Sequence, residues 1–257
     1  MTQEQKIITE TNGPVTTIII NRPEVRNALD QETSDLLARA FREFDADDTQ
    51  RVAVVTGAGG AFCAGADLKE TATRVDYKAW AGHPEGPFHA PLSKPLIAAV
   101  EGHAVAGGMG LALYCDIRIA SDSAVFGIFC RRWGVPMSDG TTVRLPRVIG
   151  MGRALDMMLT GKPVSAGEAL SIGLATRVVP TGTARTAAEE LALQIANFPQ
   201  IAMLSDRESV YIQEGKTDAD AIHFEMTAAE EAKQKEAQVG AARFAAGEGR
   251  HGDFKKT

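Results

Sequence analysis

Two short segments rich in small residues have the composition that an oxyanion-binding site requires. They are residues 61–68, with the sequence AFCAGADL, and residues 102–110, with the sequence GHAVAGGMG. Loops of this kind can aim backbone N–H groups at one point, and such fixed donors stabilise negative charge that develops on an oxygen atom. The second segment runs into the apolar stretch 109–115, which we predict to be a helix. The Gly107 N–H would then lie at a helix N-terminus and add its partial positive charge.

The elements that would position these segments are indicated by apolar runs that alternate with helical periodicity. The runs 15–20, 52–56 and 96–100 are rich in β-forming residues and almost entirely apolar, which predicts strands buried on both faces. A helical stretch over 30–44 follows the first run, with Asp30 in position to cap it. This alternation predicts an α/β domain with covered sheets.

The C-terminal part of the chain lacks strand signals. After about Thr183 the pattern is helical, and Thr217 is a candidate cap for the last helix. Three helical segments are predicted: 184–197, 201–212 and 218–237. A helical tail that cannot bury its apolar faces alone usually docks on the core or on another subunit.

Composition and charge narrow the possible function classes. The chain has 257 residues, of which 44% are hydrophobic, enough for one large core. It has no long apolar run and no signal-peptide pattern at its N-terminus, so we expect a cytoplasmic protein without a membrane partner. A net charge of -6 argues against a nucleic-acid partner. Cys63, Cys115 and Cys130 lack paired spacing, so we expect free thiols and neither disulfides nor a metal site.

The two small-residue segments closely resemble those of the crotonase (enoyl-CoA hydratase/isomerase) superfamily. Their flanks, KPLIAAV at 94–100 and CDIRIA at 115–120, match as well, and the similarity extends from the NRP sequence at 21–23 to the last helix. The resemblance implies an α/β fold of the ClpP/crotonase type, a spiral of β-β-α units with a C-terminal helical trimerisation region. It implies a core over 1–195 and oligomerisation through 196–257, as a homotrimer or a hexamer of paired trimers.

The resemblance also implies the substrate and its contacts. The substrate would be an acyl-CoA thioester of fatty acid metabolism, with coenzyme A as part of the substrate and no tightly bound cofactor. The Ala66 and Gly107 N–H groups would form the oxyanion hole. Coenzyme A would be held by Arg26, Ala28, Ala64, Asp67 and Leu68, with Phe244 from a neighbouring copy. For Arg26 a solvent-facing position is the alternative, and for Asp67 the alternative is a helix cap.

The sequence departs from hydratases of the resembled family at their two glutamate positions. The matching residues here are Gly110 and Cys130. Adding water to a 2-enoyl thioester requires one group that activates the water and one that delivers a proton to Cα, and two carboxylates meet that need. Isomerisation, decarboxylation and retro-aldol cleavage need only one proton-transferring group. These reactions are therefore as compatible with the sequence as hydration.

Three residues are candidates for the missing acid or base. Asp139 is the leading one, because dienoyl-CoA isomerases and 4-chlorobenzoyl-CoA dehalogenase carry an aspartate in this segment; Ser138 aligns with it and Asp139 follows. The alternative role of Asp139 is the N-cap of a helix that begins at Gly140. Ser138 could position a water or a polar substituent. Cys130 precedes two arginines and could be partly thiolate, although buried cysteines are more often inert.

The segment 70–93 is rich in Gly and Pro and is predicted to be a variable loop over the acyl pocket. Four of its titratable residues could reach the site: Tyr77, His83, Glu85 and His89. A second function class is a non-catalytic acyl-CoA-binding paralogue that keeps the hole without an acid or base. A dinucleotide-dependent oxidoreductase is disfavoured, because the glycine spacing at 102–110 is not G-x-G-x-x-G.

Overall fold

The computed structural model of the chain describes residues 5–74 and 89–249. The chain divides into two compact units, one ending at Leu193 and the other beginning at Gln194. The described part of the first unit contains all the strands, and that of the second unit is helical.

The strands follow one another through the first unit. In chain order they are β1 Ile7–Asn12, β2 Val15–Ile20, β3 Val52–Gly57, β4 Leu96–Val100, β5 His103–Val105, β6 Ile117–Ser121, β7 Val125–Gly127, β8 Pro163–Ser165 and β9 Arg177–Val179. The helices are α1 Gln31–Ala46, α2 Leu68–Thr73, α3 Gly107–Tyr114, α4 Thr141–Ile149, α5 Met151–Thr160, α6 Ala166–Ser171, α7 Ala184–Ala196, α8 Gln200–Ile212, α9 Asp218–Ala232 and α10 Gln238–Ala245.

The larger sheet has six strands in the order β1-β2-β3-β4-β6-β9. Strand β1 is antiparallel to β2, and the other neighbours are parallel. The residues of β2 and β4 are buried throughout, as expected for strands covered on both faces. The three predicted strands and the α/β class are confirmed. The edge strand β1 was not predicted, because its polar residues obscure the apolar pattern that indicates a strand.

A smaller sheet carries the glycine-rich segment. Strand β5 pairs in parallel with β7, and β7 pairs with β8 in antiparallel fashion. Helix α3 starts two residues after β5, so the chain turns sharply between them. The predicted helix at 109–115 is confirmed with an earlier start, at Gly107.

Helix α1 begins where the sequence predicts. The Asp30 carboxylate accepts a hydrogen bond from the Thr33 N–H at 2.8 Å, and Leu37, Phe41 and Phe44 enter the core. None of the helices in the described residues combines the length and apolarity that a bilayer crossing requires.

The second unit extends the predicted helical tail. Thr217 caps α9 as expected, but the helix continues through a π-turn over Lys233–Ala237 into α10. This turn brings the Glu236 carboxylate to the N-terminus of α8, where it accepts hydrogen bonds from the Ile201 and Ala202 N–H groups at 3.1 and 2.8 Å. The homotrimer or hexamer expected from this region stays a prediction.

Candidate active site

Within residues 63–67 of the first small-residue segment, the backbone hydrogen bonds leave one N–H group unused. Cys63 N–H donates to His103 O and Ala64 N–H to Arg26 O, while Gly65 N–H contacts the Cys63 sulfur. Asp67 N–H donates to Leu29 O at 2.9 Å. Among the described residues, the Ala66 N–H has no acceptor. A backbone donor without a partner is costly unless it faces solvent or a ligand, which is the condition for an oxyanion donor.

The second segment exposes the Gly107 N–H by means of a strained residue. Ala106 has φ 51° and ψ −123°, a conformation that favours glycine, and its N–H donates to Gly127 O at 2.9 Å. Its carbonyl accepts from Met109 and Gly110, which closes the first turn of α3. The Gly107 N–H precedes that turn and has no acceptor among the residues described. The sequence did not indicate this strain, because an alanine among glycines is inconspicuous.

Ala66 and Gly107, the residues that carry these two N–H groups, line one cavity of about 250 Å³. A Cβ atom added to Gly107 would be 3.6 Å from the Ala66 nitrogen, so the two amides are neighbours. The cavity is also lined by apolar side chains that the sequence did not indicate: Phe129, Trp133, Val135, Pro136 and Met137. Trp133 is 72% exposed, which is unusual for a large aromatic residue.

Asp139 lies in the same cavity and is 4% exposed. Burial raises the pKa of its carboxyl above the ordinary 3.8, while hydrogen bonds from Thr141 and the charge of Arg144 act in the opposite direction. Its Oδ1 accepts from the Thr141 N–H at 3.0 Å. Its Oδ2 accepts no hydrogen bond from the described residues and faces Gly110.

The capping alternative for Asp139 is correct in part. The N-cap of α4 is Gly140, not Asp139, and α4 begins at Thr141. The Asp139 carboxylate still accepts one N–H from the first residue of the helix. Oδ1 therefore accepts a hydrogen bond at the start of α4, whereas Oδ2 accepts none from the described residues. Ser138 is exposed and also lines the cavity.

The pKa of the Cys130 thiol is raised, whereas a partly ionised thiol would require a lowered pKa. Burial raises its pKa, the charge of Asp139 raises it further, and Arg131 lowers it only to a smaller extent. The Arg131 and Arg132 side chains donate instead to the carbonyls of Met158 and Gly161. Cys130 lines the cavity as a neutral thiol. Cys63, Cys115 and Cys130 are all free, as predicted, and all three are buried. Burial also raises the pKa of Cys63 to about 12.

The residues proposed to contact coenzyme A differ in exposure and in whether they line the cavity. Arg26 is exposed in a left-handed conformation, with φ 54°. Ala64 and Leu68 line the cavity, whereas Ala28 is buried. Phe244 lies in the second unit and is 64% exposed. The roles of these residues in binding coenzyme A stay predictions.

Asp67 has the structural role that was its alternative. Its side chain caps α2 by accepting the Lys69 N–H at 3.1 Å. Its other oxygen pairs with Arg22 at 3.1 Å, and the same guanidinium lies 3.2 Å from Asp30. Sequence reasoning missed Arg22, although it lies in the NRP sequence that was noted. The Arg22 guanidinium thus joins Asp30, the N-cap of α1, to Asp67, the N-cap of α2.

The predicted lid lies mostly outside the described residues, and so do its candidates Tyr77, His83 and Glu85. Where the segment is described, α2 extends to Thr73, so the loop prediction is wrong for its first residues. A capped helical turn is the reason, since Asp67 precedes a run of good helix formers. His89 is exposed.

Fold and site together define an α/β protein in which two residues with unused backbone N–H groups and one buried carboxylate line the same cavity. The sequence model of the family Enoyl-CoA hydratase/isomerase matches residues 10–257. The chain belongs to this family, and the resemblance noted in the sequence is confirmed.

Curated relatives and solved structures agree with this assignment. Enoyl-CoA hydratase EchA19 of Mycobacterium tuberculosis is 40% identical over 81% of this chain and 83% of its own length. Carnitinyl-CoA dehydratase of Proteus mirabilis is 39% identical, with 79% of each protein covered. A crystal structure of enoyl-CoA hydratase from M. tuberculosis H37Rv superimposes with a TM-score of 0.89 at 34% identity, covering 95% of this chain and 96% of that one. The crotonase-type fold is thereby confirmed.

Proposed function

We propose that this protein transfers a proton on an acyl-CoA thioester, with Asp139 as the acid/base group and the Ala66 and Gly107 N–H groups as the oxyanion hole. The observation that carries this proposal is the position of Asp139. Among the described residues it is the one carboxylate that lines the cavity, and it shares that cavity with both free N–H groups.

The reaction that suits one carboxylate best is double-bond isomerisation. Asp139 removes a proton from Cα of a 3-enoyl thioester, and the electron pair of the C–H bond passes into a dienolate whose oxygen accepts from the two amides. The same carboxyl returns the proton to Cγ, and the double bond then lies between Cα and Cβ. No atom is gained or lost. The raised pKa of Asp139 supports this role, because a stronger carboxylate base accepts the Cα proton more readily.

Hydration is the second candidate, because relatives carry names such as enoyl-CoA hydratase. It requires a group that activates water as well as a proton for Cα. The Cys130 thiol cannot activate the water, because its raised pKa keeps it protonated at neutral pH. The apolar side chains from Phe129 to Met137 favour an apolar acyl group.

The test uses the purified protein with saturated, 2-enoyl, 3-enoyl and 3-hydroxyacyl thioesters in deuterated water. Mass spectrometry follows products and deuterium at Cα. We expect exchange and conversion of the 3-enoyl into the 2-enoyl thioester. Asp139→Asn should lower both by about 10²-fold or more, with little change in affinity.

Other outcomes would change the proposal. A product heavier by one water from the 2-enoyl thioester would select hydration. Binding without exchange or conversion would favour the non-catalytic acyl-CoA binder. An Asp139→Asn variant with unchanged turnover would return Asp139 to a purely structural role.

A further inference from the structure

Gly110 lies in the first turn of α3 and faces the Asp139 carboxylate. A Cβ atom added to Gly110 would be 2.2 Å from Oδ2, 2.4 Å from Cγ and 2.9 Å from Oδ1. All three nearest atoms belong to this one carboxylate. The carboxylate therefore fills the volume that any larger side chain at position 110 would need.

Asp139 has little freedom to give way. It is 4% exposed, and its Oδ1 is held by the Thr141 N–H at 3.0 Å. Its carbonyl oxygen accepts from Arg144 Nη1 at 3.2 Å. Moving the carboxylate by the distance that a methyl group requires would stretch or break the bond to Thr141. A side chain at 110 and a carboxylate in this place thus exclude each other.

We propose that Gly110 is the positioning residue that allows the Asp139 carboxylate to lie beside the oxyanion hole. This inference rests on the proposed function, in which Asp139 transfers the proton. It explains why a glycine stands in a helix, where glycine is normally destabilising relative to alanine. The absence of a glutamate at position 110 and the presence of Asp139 are then linked, because the two side chains would compete for the same space.

The experiment compares the wild type with Gly110→Ala, Asp139→Ala and the double variant, using 3-hexenoyl-CoA as the probe. Gly152→Ala is the control, because Gly152 is also helical and a Cβ there would meet no atom within 4 Å. We expect Gly110→Ala to lower kcat by roughly 10²-fold with little change in KM, since a displacement of about 1 Å has that effect on a reacting group. The acid limb of its pH–rate profile should move to lower pH as the carboxylate is pushed towards solvent.

Thermal unfolding provides a readout that does not depend on activity. Gly110→Ala should lower the Tm of the wild type but raise that of Asp139→Ala, where the space is free. A Gly110→Ala variant with wild-type kcat and pH profile, beside an inactive Asp139→Ala, would overturn the inference and leave the proposed function intact. So would equal Tm changes in both backgrounds. An Asp139→Ala variant with wild-type kcat would instead overturn the proposed function, and with it the catalytic part of this inference.

Discussion

The backbones of Gly65 and Gly107 lie against each other at the point where the two amide donors meet. A Cβ atom on Gly65 would be 2.6 Å from the Gly107 nitrogen, and Gly65 has φ +88°. The strained turn at Ala106 aims one donor, and the residue after Gly65 supplies the other. This contact sets the separation of the donors.

Gly65→Ala should therefore damage the proposed oxyanion hole directly. We expect a loss of about 10²–10³-fold in kcat, the range for one lost donor, measured with the thioester that the wild type converts. Gly60→Ala is the control, because Gly60 has φ +81° and a Cβ there would meet no atom within 4 Å. It should have a comparable backbone strain of about 1–2 kcal/mol with near-normal turnover. Equal losses in both variants would mean that strain, not the donor contact, is responsible.

The buried carboxyl of Asp139 should make stability depend on pH. Folding raises its pKa above 3.8, so the folded protein binds the proton more tightly than the unfolded chain. The contribution of this carboxyl to the free energy of unfolding is fully present below the unfolded pKa. It is lost as the pH rises through the raised pKa of the folded protein. Asp139→Asn keeps the shape and removes the charge. Its Tm should exceed that of the wild type at neutral pH.

Thermal scans of both proteins from about pH 4 to about pH 8 measure this effect. The Tm difference should shrink as the pH falls towards the acidic end. The neighbouring thiols of Cys63 and Cys130 have raised pKa values and do not contribute in this range. A Tm difference that does not vary with pH would show that burial does not raise the pKa of the Asp139 carboxyl.

Cys130→Ala should leave turnover within about threefold of the wild type, because a neutral buried thiol has no acid/base role in this site. The side chain packs against Met137, with the two sulfur atoms 3.2 Å apart, so a modest decrease in Tm is expected. Steady-state kinetics and a thermal scan check both points. A loss of about 10²-fold in kcat with unchanged fold would restore the catalytic thiol hypothesis.

Arg26→Gln tests the predicted contact with a coenzyme A phosphate. The side chain is exposed, so the Tm should not change. KM for the acyl-CoA thioester should rise about tenfold, which corresponds to ~1.4 kcal/mol. The same acyl group on a short thiol without the nucleotide should give equal kinetics for variant and wild type. An equal rise in KM for the short thioester would exclude the phosphate contact.

The sequence alone determined the family, the strand-rich core and the helical tail. Local signals were sufficient here: apolar runs at 15–20, 52–56 and 96–100, the Asp30 and Thr217 caps, and two segments of small residues. It also showed that two glutamates were missing and placed Asp139 first among the replacements. These features depend on residue type and spacing, which tertiary contacts do not alter.

Only the tertiary structure decided what those residues can do. Among the described residues, the Ala66 and Gly107 N–H groups have no acceptor. The Asp67 and Ala106 amides beside them donate to Leu29 O and Gly127 O, contacts between segments that are distant in sequence. The pKa direction at Cys130 depended on burial and on Asp139 more than on the adjacent arginine charge. The place of Asp139 over Gly110 depends on a turn and a helix that meet in space. Burial, free donors and shared volume are properties of packing, so the order of residues along the chain does not reveal them.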